Sequence, residues 1–283
     1  MEKVTRKVLD YGEVTLVDVF GTDARIVEAA RASYSKGTKR TSTDEQLIRY
    51  LLRHHHTTPF EMCEVLFHLK LPIFVARQLV RHRTASINEV SARYSELPDE
   101  LYVPEINQLG KQSSDNKQGR QELASSEVER ASFCQDFIND SNRAAYFTYQ
   151  NLLRENVSRE ISRIVLPVST YTEMFWKMDL HNFLRFLKLR MDAHAQYEFR
   201  VFANAMCELV RPHFPITFGA FDDYILNAHT LSKGEQKLLA EILKSGGSLT
   251  SLADSAARHG LSSRELTEFQ TWLTSLTQST SKG

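Results

Sequence analysis

The segment Arg81-His82-Arg83-Thr84-Ala85-Ser86-Ile87-Asn88-Glu89-Val90-Ser91-Ala92-Arg93-Tyr94 follows directly on the apolar run Leu71 to Val80. It gathers three arginines, a histidine, a glutamate, an asparagine, two serines and a tyrosine in one short window. An apolar element that ends in such a burst of polar groups presents them together at its C-terminal end. A guanidinium fork binds phosphate or carboxylate bidentately, so Arg81, Arg83 and Arg93 point to an anion site. Ser86, Asn88, Glu89 and Ser91 add the directional donors and acceptors that a sugar or a heterocycle edge needs. A solvated, salt-bridged helix end is the other reading, and these residue types alone leave both open.

Outward from this window the chain alternates short strands with helices. Pro72 suits a helix N1 position, and the spacing predicts a helix from Pro72 to about Arg83 with Gln78, Arg81 and His82 near one another. Before it, Val65, Phe67 and Leu69 alternate with polar neighbours, which predicts a strand over 64–70. Thr57 to Phe60 reads as a turn. Thr43 with Gln46 forms a capping-box pattern for a helix carrying Leu47, Ile48, Leu51 and Leu52 and ending at Arg53-His54-His55-His56. Val14 to Phe20 reads as a strand broken by Gly21, Ala24 to Tyr34 as a helix, and Ser35 to Arg40 as a loop.

Beyond the window, Tyr102 and Val103 read as extended and Asn107 to Ala124 as a long loop. Ser126 with Glu129 predicts the start of a long helix to about Arg154, with Phe133, Phe137 and Leu152 in the core. Ser158 to Val165 is a short helical segment and Thr170 to Trp176 a strand whose aromatics, Tyr171, Phe175 and Trp176, read as core. Leu180 to about Val210 reads as one long helix, with Arg190 and His194 on a shared face, ended by Pro212 and Pro215. Past Tyr224 the composition shifts. Ser232 with Glu235 and Ser262 with Glu265 are capping boxes, Gly246-Gly247 and Gly260 are stops, and three short helices are expected.

Composition narrows the function classes. Of 283 residues, 42% are hydrophobic and 25% charged, and the formal net charge is zero. A whole-protein pull on nucleic acid or membrane is therefore not expected. Cys63, Cys134 and Cys207 form no metal or redox pattern and read as free thiols in a reducing compartment. The start of the chain has no apolar signal core and no run is long enough to span a bilayer, so a soluble cytoplasmic protein without membrane partners is expected. Three consecutive residues, His54-His55-His56, rarely converge on one ion, and no metal site is expected. Ala256, Gly260 and Leu266 have helix-turn-helix spacing. From Lys233 onward, however, six Lys/Arg face five Asp/Glu, too even a balance for DNA.

The order of the motifs resolves the opening ambiguity. Arg81-His82-Arg83, seven residues, then Ser91 is the signature of the flavin-dependent thymidylate synthases, strengthened by Asn88-Glu89 and Arg93-Tyr94. Further segments resemble that family in its own order: Thr58-Pro59-Phe60-Glu61 after His56, Phe74-Val75-Ala76-Arg77-Gln78, Ser162-Arg163-Ile164-Val165-Leu166-Pro167, and Leu189-Arg190-Met191-Asp192-Ala193-His194-Ala195-Gln196. Together they cover roughly residues 10–224. The cysteines fit no nucleophile motif, which argues against the cysteine-dependent thymidylate synthase mechanism.

The resemblance implies an α+β fold, a central mostly antiparallel sheet flanked by long helices. Residues 1–224 would be the catalytic domain, and 225–283 a small helical C-terminal appendage about which the resemblance says nothing. It implies methylation of dUMP to dTMP with FAD as cofactor and with methylenetetrahydrofolate and NADPH as co-substrates. It also implies a homotetramer with active sites shared between subunits. Gln78, Leu79, Val80, Arg81, Glu89, Val90, Ser91, Ala92, Arg93 and Arg163 match dUMP-binding positions, and Arg190 matches the catalytic arginine that holds the uracil ring ionised at N3. Thr58, Arg81, His82, Arg83 and Glu89 match FAD contacts, and His56 and Tyr94 line the flavin and folate side. Many members carry Asn-x-Arg after the aromatic strand; this chain has Asp179-Leu180-His181, with Arg185 a turn later, and these three are carried as FAD contacts. The competing function is an anion- or nucleic-acid-binding protein with a helix-turn-helix tail, separated from the first by flavin absorbance.

Overall fold

The computed structural model describes residues 3–32, 42–113, 119–244 and 252–279. Its sheet has five strands: β1 (Val4–Val8), β2 (Gly12–Phe20), β3 (Glu64–Pro72), β4 (Ala85–Glu89) and β5 (Tyr171–Asp179). They lie in the order β1-β2-β3-β5-β4, and every neighbouring pair is antiparallel. Register explains the core. Val14, Leu69 and Met174 stand in one cross-strand row, and Leu16, Phe67 and Trp176 in the next. All six are buried. A slip of one residue would turn both rows to the opposite face. This is the α+β sheet that the family resemblance implies.

Helices cover that apolar face. In the first half these are α1 (Asp23–Arg31), α2 (Asp44–Arg53), the single turn α3 (Thr58–Glu61) and α4 (Ile73–Leu79). The 27-residue α5 (Val128–Arg154) and the single turn α6 (Arg159–Ser162) precede β5, and α7 (Leu180–Arg190), α8 (Tyr197–Val210) and α9 (Pro215–Phe221) follow it. Phe183 on α7 meets Phe67 at 5.7 Å between ring centroids, and Phe186 meets Trp176 at 5.3 Å. Buried Asp23 ties the start of α1 to that of α9, accepting from Ile216 N (2.8 Å), Thr217 N (3.1 Å) and Thr217 Oγ1 (2.6 Å). The capping box of Thr43 and Gln46 is formed as the sequence predicts.

Several expectations are corrected. The helix expected over 180–210 is two helices, broken at residues 191–196, so Arg190 and His194 share no helical face. The break has a local cause: the Asp192 carboxylate accepts from His194 N at 2.8 Å and bonds its Nδ1 at 2.9 Å, and such side-chain bonds compete with the helix ladder. The helix expected from Pro72 to Arg83 is only Ile73–Leu79, because Pro72 still belongs to β3 with an extended ψ of 145°. Thr57 to Phe60 enters a helical turn. The Ser126–Glu129 box does not form; a 3₁₀ turn, Ser125–Glu127, leads into α5 without a side-chain cap.

Phe133 and Phe137 are not core residues. Each is 60% exposed, and the two rings stack edge-on at 4.4 Å. The buried positions of α5 are Ala131, Asn142 and Tyr149 instead. Phe175 is also exposed, because alternation along β5 sends it to the face opposite Met174 and Trp176. Strand β1 has too little apolar alternation to be read from the sequence. The loop expected at 35–40, part of the long loop (114–118) and Gly246-Gly247 lie outside the described residues.

Residues 227–283 form a second compact unit. It contains α10 (Lys233–Lys244), α11 (Leu252–Arg258) and the 17-residue α12 (Ser263–Ser279), longer than expected. Leu238, Ala256 and Phe269 are its core. The Ser232–Glu235 and Ser262–Glu265 boxes both form, and Gly260 turns the chain between α11 and α12 at φ +78°. Arg258 pairs with Glu241 and Arg264 with Glu268. No helix among the described residues is long and apolar enough to cross a membrane.

Candidate active site

Arg190, the last residue of α7, donates from Nε to His82 Nε2 at 3.0 Å. His82 lies in the turn after α4, its backbone N–H bonded to Leu79 O. Its ring stands edge-on to buried Phe186 (4.9 Å) and Phe199 (6.4 Å). The Arg190 guanidinium sits 4.7 Å over the Phe199 ring. An arginine can only donate, so Nε2 of His82 must be unprotonated with the ring proton on Nδ1. Burial, and then the charge of Arg190, push His82 down to about 4. Burial also lowers Arg190, but a guanidinium stays charged in proteins.

The arginines of the predicted site stand without an acid partner, as do Arg53, Arg77, Arg143, Arg154 and Arg200 elsewhere among the described residues. Arg49, Arg120 and Arg211 each meet a carboxylate. Among the described residues, Arg81, Arg83, Arg93, Arg163, Arg185 and Arg190 meet none. Of these only Arg190 is partly buried and the other five are exposed; a partly buried guanidinium without an acid is a receptor for a ligand anion.

Arg190 lines a cleft of about 530 Å³ with Gln78, Lys188, Leu189, Asp192, His194, Ala195 and Gln196. Gln78 Nε2 donates to Gln196 Oε1 at 2.5 Å. The His194 backbone and ring hold the Asp192 carboxyl below its ordinary range, against the opposing effect of burial. Leu79 is buried in the core, so a nucleotide could meet only its backbone, while Val80 is exposed.

A second group lies on the sheet edge. Glu89 ends β4 and accepts from Thr172 Oγ1 at 2.7 Å. Val90 N bonds Glu173 O, which continues the pairing past the strand end. Ser91 Oγ accepts from Arg93 N and Arg93 Nε, both at 3.3 Å. Arg93 in turn lies 5.3 Å over exposed Tyr94, and Ala92 is buried. Arg163 donates to Glu160 O at 3.4 Å in the 3₁₀ turn after α6. No hydrogen bond or ion pair among the described residues links this group to Arg190.

The third group surrounds the N-terminus of α7, where α3 packs against it. Thr58 opens α3. His56 follows α2 and stands edge-on to Tyr50 at 5.8 Å. Asp179 is the N-cap of α7: Oδ1 accepts from Asn182 N (2.9 Å) and Oδ2 from Asn182 Nδ2 (2.7 Å). Both of its oxygens are thus engaged within the helix. Burial lowers His181. Arg185, exposed and one turn later, shares its helical face. The unpaired guanidinium of Arg185 and the imidazole of His181 stand together there as donors, while Arg81 and Arg83 lie exposed in the turn after α4.

Sequence reasoning missed Arg120 and Glu198. Glu198 is 2% exposed and accepts from Arg120 Nη1 (2.9 Å), Tyr102 OH (3.2 Å) and Gln196 Nε2 (3.0 Å). The only signal was its place two residues after Gln196, since nothing local announces that a glutamate will be buried.

With this geometry in hand, the chain compares closely with known proteins. The thymidylate synthase complementing protein family matches residues 15–216. Flavin-dependent thymidylate synthases of Ehrlichia ruminantium (strain Gardel) and Wolbachia pipientis wMel are 52% and 50% identical to it, covering 84% of this chain and 79% and 83% of their own. The flavin-dependent thymidylate synthase of Gluconobacter oxydans (strain 621H) is 46% identical over 93% of this chain and 85% of its own. The UMP/dUMP methylase PolB from Streptomyces cacaoi, solved with 5-Br UMP, superposes with a TM-score of 0.69 at 32% identity, over 78% of this chain and 98% of that one. The chain belongs to the thymidylate synthase complementing protein family, the family of the flavin-dependent thymidylate synthases.

Proposed function

We propose that this protein methylates dUMP to dTMP with FAD as cofactor, methylenetetrahydrofolate as one-carbon donor and NADPH as reductant, releasing tetrahydrofolate. The observation that carries the reading is Arg190, an arginine without an acid partner, fixed by His82 at the edge of a cleft. A fixed cation stabilises negative charge on a pyrimidine ionised at N3 and so makes C5 nucleophilic. Because His82 is neutral, it orients Arg190 without competing for that anion.

Gln78, Arg81, Glu89, Ser91, Arg93 and Arg163, with the backbone of Leu79, Val80, Val90 and Ala92, hold the nucleotide. Ser91 binds rather than attacks. Its oxygen is engaged by Arg93 twice, and a serine nucleophile needs a base. Thr58, Arg81, His82, Arg83, Glu89, Asp179, His181 and Arg185 hold the flavin, with His56 and Tyr94 at its folate side. When bound, the flavin supplies the reducing hydride and takes part in moving the one-carbon unit.

The working unit is a homotetramer with shared sites. Strand β4 is an edge strand, and Phe133, Phe137 and Phe147 leave an apolar stripe exposed on α5. These are the features that further copies would cover in such an assembly. Residues 1–224 act as the catalytic domain, and 225–283 are a helical extension of unknown role. Its two arginines are both paired, which disfavours the nucleic-acid reading. The free thiols of Cys63, Cys134 and Cys207 suit the cytoplasm.

The test is dTMP formation by the flavin-loaded protein from dUMP, methylenetetrahydrofolate and NADPH, with each of these three omitted in turn. Product only in the complete mixture, from a protein showing a flavin absorbance band, is the expected result. A folded sample with neither flavin binding nor activity would contradict the proposal.

A further inference from the structure

We infer that Arg120 and Glu198 are positioning residues for the nucleotide site, fixing which way the Gln78 amide faces through Gln196. The inference rests on the reading of Gln78 as a nucleotide-binding residue.

The argument is one of donor and acceptor direction. Glu198 is buried, and a buried carboxylate persists only with a cation and hydrogen bonds around it. Arg120 supplies the cation at 2.9 Å, and Tyr102 supplies a further donor. Burial is the largest influence and works to raise the Glu198 carboxyl, but Arg120, the Glu198 backbone N–H and Gln196 together outweigh it and the net displacement is downward. An ionised carboxylate accepts and never donates. Gln196 must therefore turn its NH₂ to Glu198 Oε2 (3.0 Å), which leaves its carbonyl facing Gln78. That carbonyl takes an N–H of Gln78 at 2.5 Å. The Gln78 amide is thereby fixed as well, with its own carbonyl left to accept a hydrogen bond from a ligand. Gln78 and Gln196 both line the Arg190 cleft, so the direction set at Glu198 is delivered there.

Arg120 is itself held. Its second terminal nitrogen donates to Gln108 Oε1, and its guanidinium lies 5.4 Å over Tyr197. Without Arg120 the buried Glu198 takes up a proton. Its carboxyl can then donate, either orientation of Gln196 becomes possible, and the direction of Gln78 is lost. None of these residues other than Gln78 needs to touch the substrate.

The test compares steady-state dUMP kinetics, at saturating co-substrates, for wild type, Gln78→Ala, Arg120→Ala, Arg120→Lys, Glu198→Gln, Gln196→Met and the doubles Gln78→Ala/Arg120→Ala and Gln78→Ala/Glu198→Gln. Arg120→Ala, Glu198→Gln and Gln196→Met should each raise KM for dUMP by about tenfold, as for one lost hydrogen bond in a charged network, with kcat nearly unchanged. Arg120→Lys should restore most of the loss. In the doubles, the second substitution should add nothing to the KM of Gln78→Ala, because it acts through that residue. Additive doubles, or a normal KM in the Arg120, Glu198 and Gln196 variants, would overturn the relay while leaving Gln78 as a ligand. A normal KM in Gln78→Ala would overturn the Gln78 reading and the relay with it. Gln196→Met leaves the Arg120–Glu198 pair intact, so its KM tests the relay even if the charge variants fold poorly.

Discussion

Arg190 and His82, 108 residues apart in sequence, are joined by a hydrogen bond of 3.0 Å from Nε to Nε2. The bond exists only while His82 is neutral, and it closes the end of α7 onto the turn that opens the Arg81-His82-Arg83 signature. Two motifs that look independent in the sequence are therefore one structural unit.

That bond has a pH signature. His82 titrates at about 4 in the folded protein against an ordinary 6.5. Between those values the unfolded chain binds more protons, so stability must fall as pH drops from about 6.5 toward 4. With His82 partly solvated, the loss is on the order of 2 kcal/mol. Denaturant unfolding at pH 7, 6 and 5 should show this loss in wild type and not in His82→Asn. Parallel pH profiles for the two proteins would refute it.

Ser91 is assigned a binding role, and the assignment separates KM from kcat. Ser91→Ala removes the acceptor that orients Arg93, so KM for dUMP should rise by about five- to tenfold as one hydrogen bond is lost. Turnover at saturation should stay within about twofold. A collapse of kcat by about 10⁴ or more, the scale seen when an essential nucleophile is removed, would make Ser91 the nucleophile after all.

Of the two flavin-site residues Asp179 and Arg185, only Asp179 also supports the fold. Both Asp179 oxygens cap α7, so Asp179→Ala should cost about 1 kcal/mol of stability. Arg185→Ala should leave the melting temperature unchanged and weaken FAD binding about fivefold or more, as an exposed cation near a diphosphate is removed. Equilibrium titration of flavin fluorescence reads the second effect. An FAD affinity unaltered in Arg185→Ala would remove that residue from the cofactor site.

Away from the site, the Asp23 side chain joins the starts of α1 and α9. Asp23→Ala leaves buried Thr217 Oγ1 and two helix N–H groups without their acceptor, at a cost of about 2–4 kcal/mol. Thermal unfolding should show it directly. A change below about 0.5 kcal/mol, the range of an ordinary surface substitution, would mean that water replaces the carboxylate.

What the sequence disclosed was local. Val65, Phe67 and Leu69 alternate, and the strand is there; Thr43 and Gln46 have capping spacing, and the cap is there. The Arg81-His82-Arg83 and Ser91 spacing led to the family. What it hid depended on distant partners. The break at 191–196 looked like helix because Asp192 and His194 are ordinary helix-surface residues until their mutual bonds are seen. Phe133 and Phe137 are apolar at helical spacing, yet α5 turns them outward and buries Ala131, Asn142 and Tyr149. The burial of Glu198 depends on Arg120, 78 residues earlier, and no periodicity carries that information.

The central claim is that Arg190 stabilises the ionised pyrimidine while other residues hold the flavin. The most direct measurement is dTMP turnover by Arg190→Ala at saturating dUMP, on protein whose bound flavin is quantified by absorbance. The account predicts normal flavin content with kcat reduced by about 10²–10³, the scale of one lost transition-state donor. Turnover at the wild-type rate with flavin bound would contradict it.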